Sequence, residues 1–303
     1  MNFLISFLFF VLGTLIGSFL NVVILRYNTG KHIFGWKERS ICFSCSKKLA
    51  WHELVPVVSF CFLGGRCRGC KSRISWQYPL VEITTGLIFV GIFAQNFPII
   101  FSLFAVAIWS SLIVITVYDL RHKIIPDGLV YAFIILSFLA AAIFPSGGGG
   151  FLHSLFAGAV FFTFFAGLWL ISGGRWLGFG DAKLVLGVGF LLGLARGLSA
   201  LTLAFWIGAV VSIFLLGLNW LAKKLESWQK LAGRKKLAKN LTNNLASNTT
   251  GGKAIQFGRL RSRLFNLTMK SEIPFAPFII LGALIAFFWN IDIFGLAGLL
   301  FTM

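Results

Sequence analysis

Eight apolar stretches of this chain are candidate bilayer crossings, some shorter than the ideal length, and no other feature restricts the fold so strongly. A helix needs about 20 such residues, because lipid offers no partner for an exposed peptide group. The runs lie at 3–25, 79–95, 98–118, 128–144, 151–171, 182–195, 198–220 and 273–290. A further stretch, 291–303, is short and carries Asp292, which suits an interfacial tail. The first run lacks the basic leading region and small-residue cleavage site of a secretory signal, so it reads as a permanent helix. Composition agrees: 12% of residues are charged, where a soluble domain carries about 25%. The expected fold is an all-α polytopic membrane protein of about eight transmembrane helices.

The 27 Lys and Arg residues fix an expected orientation, since cytoplasmic loops retain positive charge. Ten lie at 26–78, two at 119–127, two at 172–183 and twelve at 221–272, leaving Arg196 alone in an opposite-side loop. Both termini then face outward. The net charge of +18 belongs to cytoplasmic loops meeting anionic membrane lipid. No nucleic-acid-binding motif accompanies the charge, so nucleic acid is not an expected partner.

The first of those loops holds all five cysteines. Cys42-Phe43-Ser44-Cys45 and Cys67-Arg68-Gly69-Cys70 form two pairs spaced as in a four-thiolate zinc ribbon. Lys47, Lys48, Arg66 and Arg68 flank them and would stabilise thiolates. The competing reading is two disulfides, which a reducing cytoplasm disfavours. Four protein ligands leave no open position, so the zinc would be structural, stapling a loop too small for its own core. Cys61 reads as a spare buried thiol.

Acidic residues are scarce, nine in all, and charge within a membrane is expensive. Asp119, in Val117-Tyr118-Asp119-Leu120, falls where the third apolar run meets its loop. Asp181, in Gly178-Phe179-Gly180-Asp181, opens the sixth. Both therefore sit near one membrane face. Two carboxylates brought together cannot easily both ionise; one holds a proton while the other activates water, as peptide hydrolysis at a dyad requires. The plainer reading of each is a helix-end acid among headgroups, and spacing alone leaves the two readings level. Asp127, in Ile124-Ile125-Pro126-Asp127-Gly128, reads as a turn and a helix N-cap. Glu82 lies one turn inside the second run, deep enough to need a partner. His32, His52 and His122 lack metal-like spacing.

These residues together resemble the type IV prepilin peptidases, also called prepilin leader peptidase and N-methyltransferase. Gly17-Ser18-Phe19-Leu20-Asn21-Val22-Val23 with Arg26 is similar to the family's opening motif. The cysteine pairs, with Leu54-Val55-Pro56 between them and Ile74-Ser75 through Tyr78-Pro79-Leu80-Val81-Glu82 after them, resemble its cytoplasmic domain. Asp119 with Ile125-Pro126-Asp127 resembles the first catalytic segment and Gly178-Phe179-Gly180-Asp181-Ala182-Lys183 the second. Ile273-Pro274-Phe275-Ala276-Pro277 is similar to the last helix, with Ala276 where the family usually has glycine.

The resemblance implies an enzyme of the bacterial inner membrane with its active site facing the cytoplasm. It would cut a short basic leader from prepilins or pseudopilins of type IV pilus or type II secretion systems. It would then methylate the exposed amino terminus with S-adenosylmethionine. Asp119 and Asp181 would be the catalytic acids, with Asp127, Gly178, Gly180 and Lys183 auxiliary and Cys42, Cys45, Cys67 and Cys70 the zinc ligands. The expected organisation is a first helix (1–25), a zinc-ribbon-like cytoplasmic domain (26–78), a membrane peptidase core (79–220), a basic loop (221–272) and a last helix with its tail (273–303). The basic loop is longer than the family suggests. Other readings are a peptidase without methyl transfer, and a membrane scaffold or transporter, against which stands the lack of a charged residue near the middle of any helix.

Overall fold

The computed structural model describes residues 3–27, 40–144, 150–245 and 274–295. The helices are α1 (Phe3–Arg26), α2 (Val58–Phe62), α3 (Gln77–Ala94), α4 (Ile99–His122), α5 (Asp127–Ile143), α6 (Gly150–Ser172), α7 (Phe179–Leu245) and α8 (Ala276–Trp289), with a 3₁₀ turn at Trp51–Glu53. Among the described residues no strand forms. Two isolated antiparallel bridges lie in the cysteine segment. The structure is thus nearly all-helical, with apolar helices long enough to cross a membrane and a cysteine-bearing segment between the first and second of them.

Each of the eight apolar runs falls on a helix, with two boundary changes. The third run continues past 118, because no breaker intervenes, and ends only where Lys123 turns left-handed and its N–H reaches the Asp119 carbonyl at 2.7 Å. Asp119 therefore belongs to the last turn of α4 rather than to the loop. The sixth and seventh runs are separated at Gly193 (φ 72°, ψ −172°), not around Arg196, because extended backbone at positive φ is open only to glycine. The stretch Phe179–Leu221, 43 residues and mostly apolar, is about twice what one crossing needs.

The chain divides into two units, 1–205 with 274–303, and 206–273. In the first, α4 is central, touching α1, α3, α5 and α8. Its Ile108, Trp109, Leu112 and Ile115 are fully buried. Helix α1 lies closely along α3: a Cβ on Gly13 would fall 2.7 Å from the Gly86 Cα, and one on Gly17 2.8 Å from the Glu82 Cα. Small residues four apart let two apolar helices associate where lipid gives no hydrophobic drive. The outward sides are apolar, with Leu4, Leu8, Leu15, Leu152, Phe156 and Phe164 exposed, a surface suited to lipid rather than water. The second unit is described over 206–245, where α7 continues as helix through the basic residues. The rest of the expected loop, 246–272, with the end of its polar middle and its second basic patch, lies outside the described residues.

Candidate active site and cysteine cluster

Packing brings Asp119, on the last turn of α4, to Asp181, in the first turn of α7, and both are buried, at 4% and 7% exposure. They are close enough for the charge of one to act on the other. The Gly178 N–H donates to Asp181 Oδ2 at 3.2 Å, while Asp181 Oδ1 is buried with no hydrogen-bond partner among the described residues. A buried polar atom left unsatisfied is rare, and here it stands beside a second carboxylate.

The local sequence explains the placement. A Cβ on Gly180 would meet the Ile125 side chain at 3.0 Å, so glycine lets the start of α7 sit against the loop after α4. A Cβ on Gly178 would lie 3.4 Å from Asp181 Oδ2, in ordinary contact. The same loop is tied by Asp127, whose Oδ1 accepts from Lys183 Nζ at 2.8 Å. The Lys183 ammonium also lies over the rings of Tyr131 and Phe179, at 5.0 and 5.1 Å. This cation, only two residues after Asp181, is thereby engaged by Asp127 and two aromatic faces. The expected N-cap role of Asp127 does not hold: Pro126 occupies the cap and Asp127 opens α5, its carboxylate turned to Lys183. The Lys183 pairing was open to sequence reading only as opposite charges 56 residues apart, a signal too common to select.

The cysteines form a second centre. The four Sγ atoms of Cys42, Cys45, Cys67 and Cys70 lie within 4.8 Å of one another, with Cys42 and Cys70 at 3.9 Å. A tetrahedral zinc with sulfur at about 2.3 Å requires sulfurs about 3.8 Å apart, so the set fits such an ion. All five cysteines are free thiols. The two pairs repeat one local design. Cys42 and Cys67 each donate their N–H five residues ahead, to Lys47 and Ser72, and each carbonyl accepts four residues ahead, from Ser46 and Lys71. Ser46 and Lys71 are both left-handed, and the bridges Ile41 to Lys48 and Arg66 to Arg73 close both turns. The N–H groups of Cys45 and Ser44 pull the Cys42 thiol down to about 6. Cys45 is pushed up to about 11: the Lys47 N–H draws it down, but hydrogen bonds with Cys70 and Cys42 outweigh that. Thiols so crowded compete for protons unless a cation neutralises them. Cys61, expected to be buried, is exposed on α2, because that helix is too short to bury both faces.

Glu82 has its partner. Buried at 6% exposure, it accepts the Val57 N–H at 2.8 Å, joining α3 to the segment that carries the cysteines. Asn21 of α1 accepts from Gln77 Nε2 at 3.3 Å and donates to the Tyr78 carbonyl at 3.3 Å. Glu53 is held below the usual carboxylate range by the Ala50 N–H and then by Lys47 at 3.1 Å.

Two family profiles match the chain in tandem: the bacterial peptidase A24 N-terminal domain over residues 11–96, covering most of α1, the cysteine segment and α3, and the type IV leader peptidase family over 105–213, covering both aspartates. A prepilin leader peptidase/N-methyltransferase of Bacillus subtilis is 34% identical over 66% of this chain and 79% of that protein. This chain belongs to that family. Proteins of the same name from Myxococcus xanthus and Klebsiella pneumoniae are 37% and 33% identical, over 68% and 62% of this chain. The match spans 62% of the Myxococcus protein and 85% of the Klebsiella one. No solved structure matches the chain.

Proposed function

We propose that this protein removes the basic leader from type IV prepilins or pseudopilins, with Asp119 and Asp181 as its catalytic pair, and then methylates the new amino terminus. The observation that carries the peptidase half is the meeting of two buried carboxylates, one with an unsatisfied oxygen, on segments matched to a leader peptidase family. The methyl-transfer half is supported by the names of the relatives.

An ionised carboxylate of the pair takes a proton from water as its oxygen attacks the scissile carbonyl carbon. The other, protonated, donates to the carbonyl oxygen. Collapse of the tetrahedral species breaks the C–N bond, and the departing amine takes up the proton that the first acid gained. In this scheme water is the nucleophile and no covalent intermediate arises. The state in which one acid is ionised and the other protonated belongs to the pair. Gly178 orients Asp181, and the Asp127–Lys183 pair holds the adjoining loop and keeps that ammonium from the dyad. The excess of Lys and Arg in the loops on this side supports an inner-membrane enzyme whose active site faces the cytoplasm. Cys42, Cys45, Cys67 and Cys70 would hold a structural zinc, and S-adenosylmethionine would supply a methyl group on an electrophilic sulfonium.

The test is cleavage of a purified prepilin in liposomes by the Asp119→Asn and Asp181→Asn variants. Undiminished cleavage by either refutes the assignment. Mass spectrometry of the product's amino terminus reads methylation. A mature terminus that stays unmethylated with S-adenosylmethionine present supports the reading as a peptidase alone.

A further inference from the structure

A cavity of about 820 Å³ opens between the cysteine segment and three helix ends: the end of α1, the start of α3 and the end of α4. That volume lies within the range of about 300–1,000 Å³ typical of small-molecule sites. We propose that this cavity holds the methyl donor, with the Glu82 carboxylate receiving the ammonium group of the donor's amino-acid end. The inference rests on the methyl-transfer half of the proposed function and gives it a location.

Both the chemistry and the position of the cavity point there. Its wall combines an apolar side, with Phe60, Leu63 and Ile74, and charges of both signs, with Glu82 facing the same space as Arg73 and Arg121. A flat purine needs the first; an amino-acid head, carrying an ammonium and a carboxylate, needs both of the second. Glu53, the other acid on the wall, is already engaged by Lys47 and the Ala50 N–H. Glu82 differs: among the described residues it is in no ion pair, although it is buried at 6% exposure. A buried carboxylate without a cation is costly, and a cationic ligand removes the cost.

Glu82 also ties the cavity wall together. The Val57 N–H that it accepts belongs to a residue at φ 59°, a conformation costly for a β-branched side chain. Arg121 lies two residues after Asp119, so the cavity wall and one of the paired aspartates share the last turn of α4.

The experiment compares two ligands by titration calorimetry on the full chain in detergent. S-adenosylhomocysteine carries the amino-acid end; methylthioadenosine has the same adenosyl thioether without it. Loss of a hydrogen bond to a charged group predicts that Glu82→Gln weakens S-adenosylhomocysteine by at least about tenfold and changes methylthioadenosine by less than about twofold. Glutamine keeps an acceptor for the Val57 N–H, and retained methylthioadenosine binding reports an intact cavity. Ser59→Trp, which fills the cavity, is expected to weaken both ligands. Amide exchange should show S-adenosylhomocysteine protecting 54–63 and 72–82.

The proposal is overturned if Glu82→Gln binds S-adenosylhomocysteine as the natural protein does, if it weakens both ligands equally, if Ser59→Trp weakens neither, or if protection falls elsewhere. Binding with protection elsewhere removes this location and leaves methyl transfer standing. Binding of neither ligand by the natural protein removes both.

Discussion

The cysteine segment and the aspartate pair are held together by opposite means. Each cysteine turn is built within eight residues, from Ile41 to Lys48 and from Arg66 to Arg73, by backbone hydrogen bonds that recur at the same offsets. The aspartates stand on helices 62 positions apart in sequence (181 minus 119), and are brought together by the start of α7 sitting against the loop between α4 and α5. A metal can organise the first from short segments, since its binding free energy is folding free energy. The second depends on close packing, in which a single methyl group is felt. The two centres are therefore expected to fail independently, and variants that score cleavage and bound zinc together test that independence.

The largest effect on cleavage is expected from the dyad. Asp119→Asn or Asp181→Asn should lower the cleavage rate by about 10²–10⁴-fold, the usual worth of general acid–base catalysis, with zinc content unchanged by atomic absorption. Rate against pH should be a bell: it falls at low pH as both acids take protons and at high pH as both lose them. A flat profile for the natural protein would break the pairing.

Gly180→Leu, which drives a side chain into Ile125, should cost about 10- to 100-fold in cleavage by displacing Asp181, again without loss of zinc. Asp127→Asn should cost about two- to fivefold, because its pair with Lys183 is largely exposed on the Asp127 side. The smallest effect on cleavage comes from the other centre. Cys67→Ser should abolish bound zinc and methylation and hasten proteolysis within 40–75, yet change cleavage by less than about twofold, as expected of separate sites. Equal loss of cleavage and methylation would show the two regions to be one folding unit.

The fold was legible to the extent that it follows from solvent and period. Apolar runs of crossing length read directly as helices, because lipid leaves the backbone little alternative. Their ends read less well. The run ending at 118 gave no sign that α4 continues to His122, since three of the four residues that extend it, Asp119, Arg121 and His122, are polar and a hydropathy pattern stops there. The break at Gly193 was misplaced toward Arg196, because charge marks a loop more visibly than one glycine among several marks a kink.

In the candidate sites, the cysteine spacing carried its own geometry, and the clustered sulfurs follow from two short turns. The aspartates were nameable from their scarcity and from the ordered motifs around them, but nothing in a helix-end acid specifies its partner. Asp127 illustrates the limit. Local sequence offers it as an N-cap near Asp119, whereas its carboxylate joins Lys183 from another helix. Glu82 was expected to need a partner, yet that partner is a backbone N–H 25 residues earlier in the chain.

The sequence by itself determined the solvent, the helical class, the apolar runs, the cysteine cluster and the few acids able to do chemistry, because each depends on composition or on spacing within a few residues. Only the tertiary structure decided which acids meet, what Gly180 and Asp127 touch and where a cavity remains beside Glu82. Those outcomes depend on the side chains that distant helices bring to one place, and a one-dimensional pattern does not carry that distance.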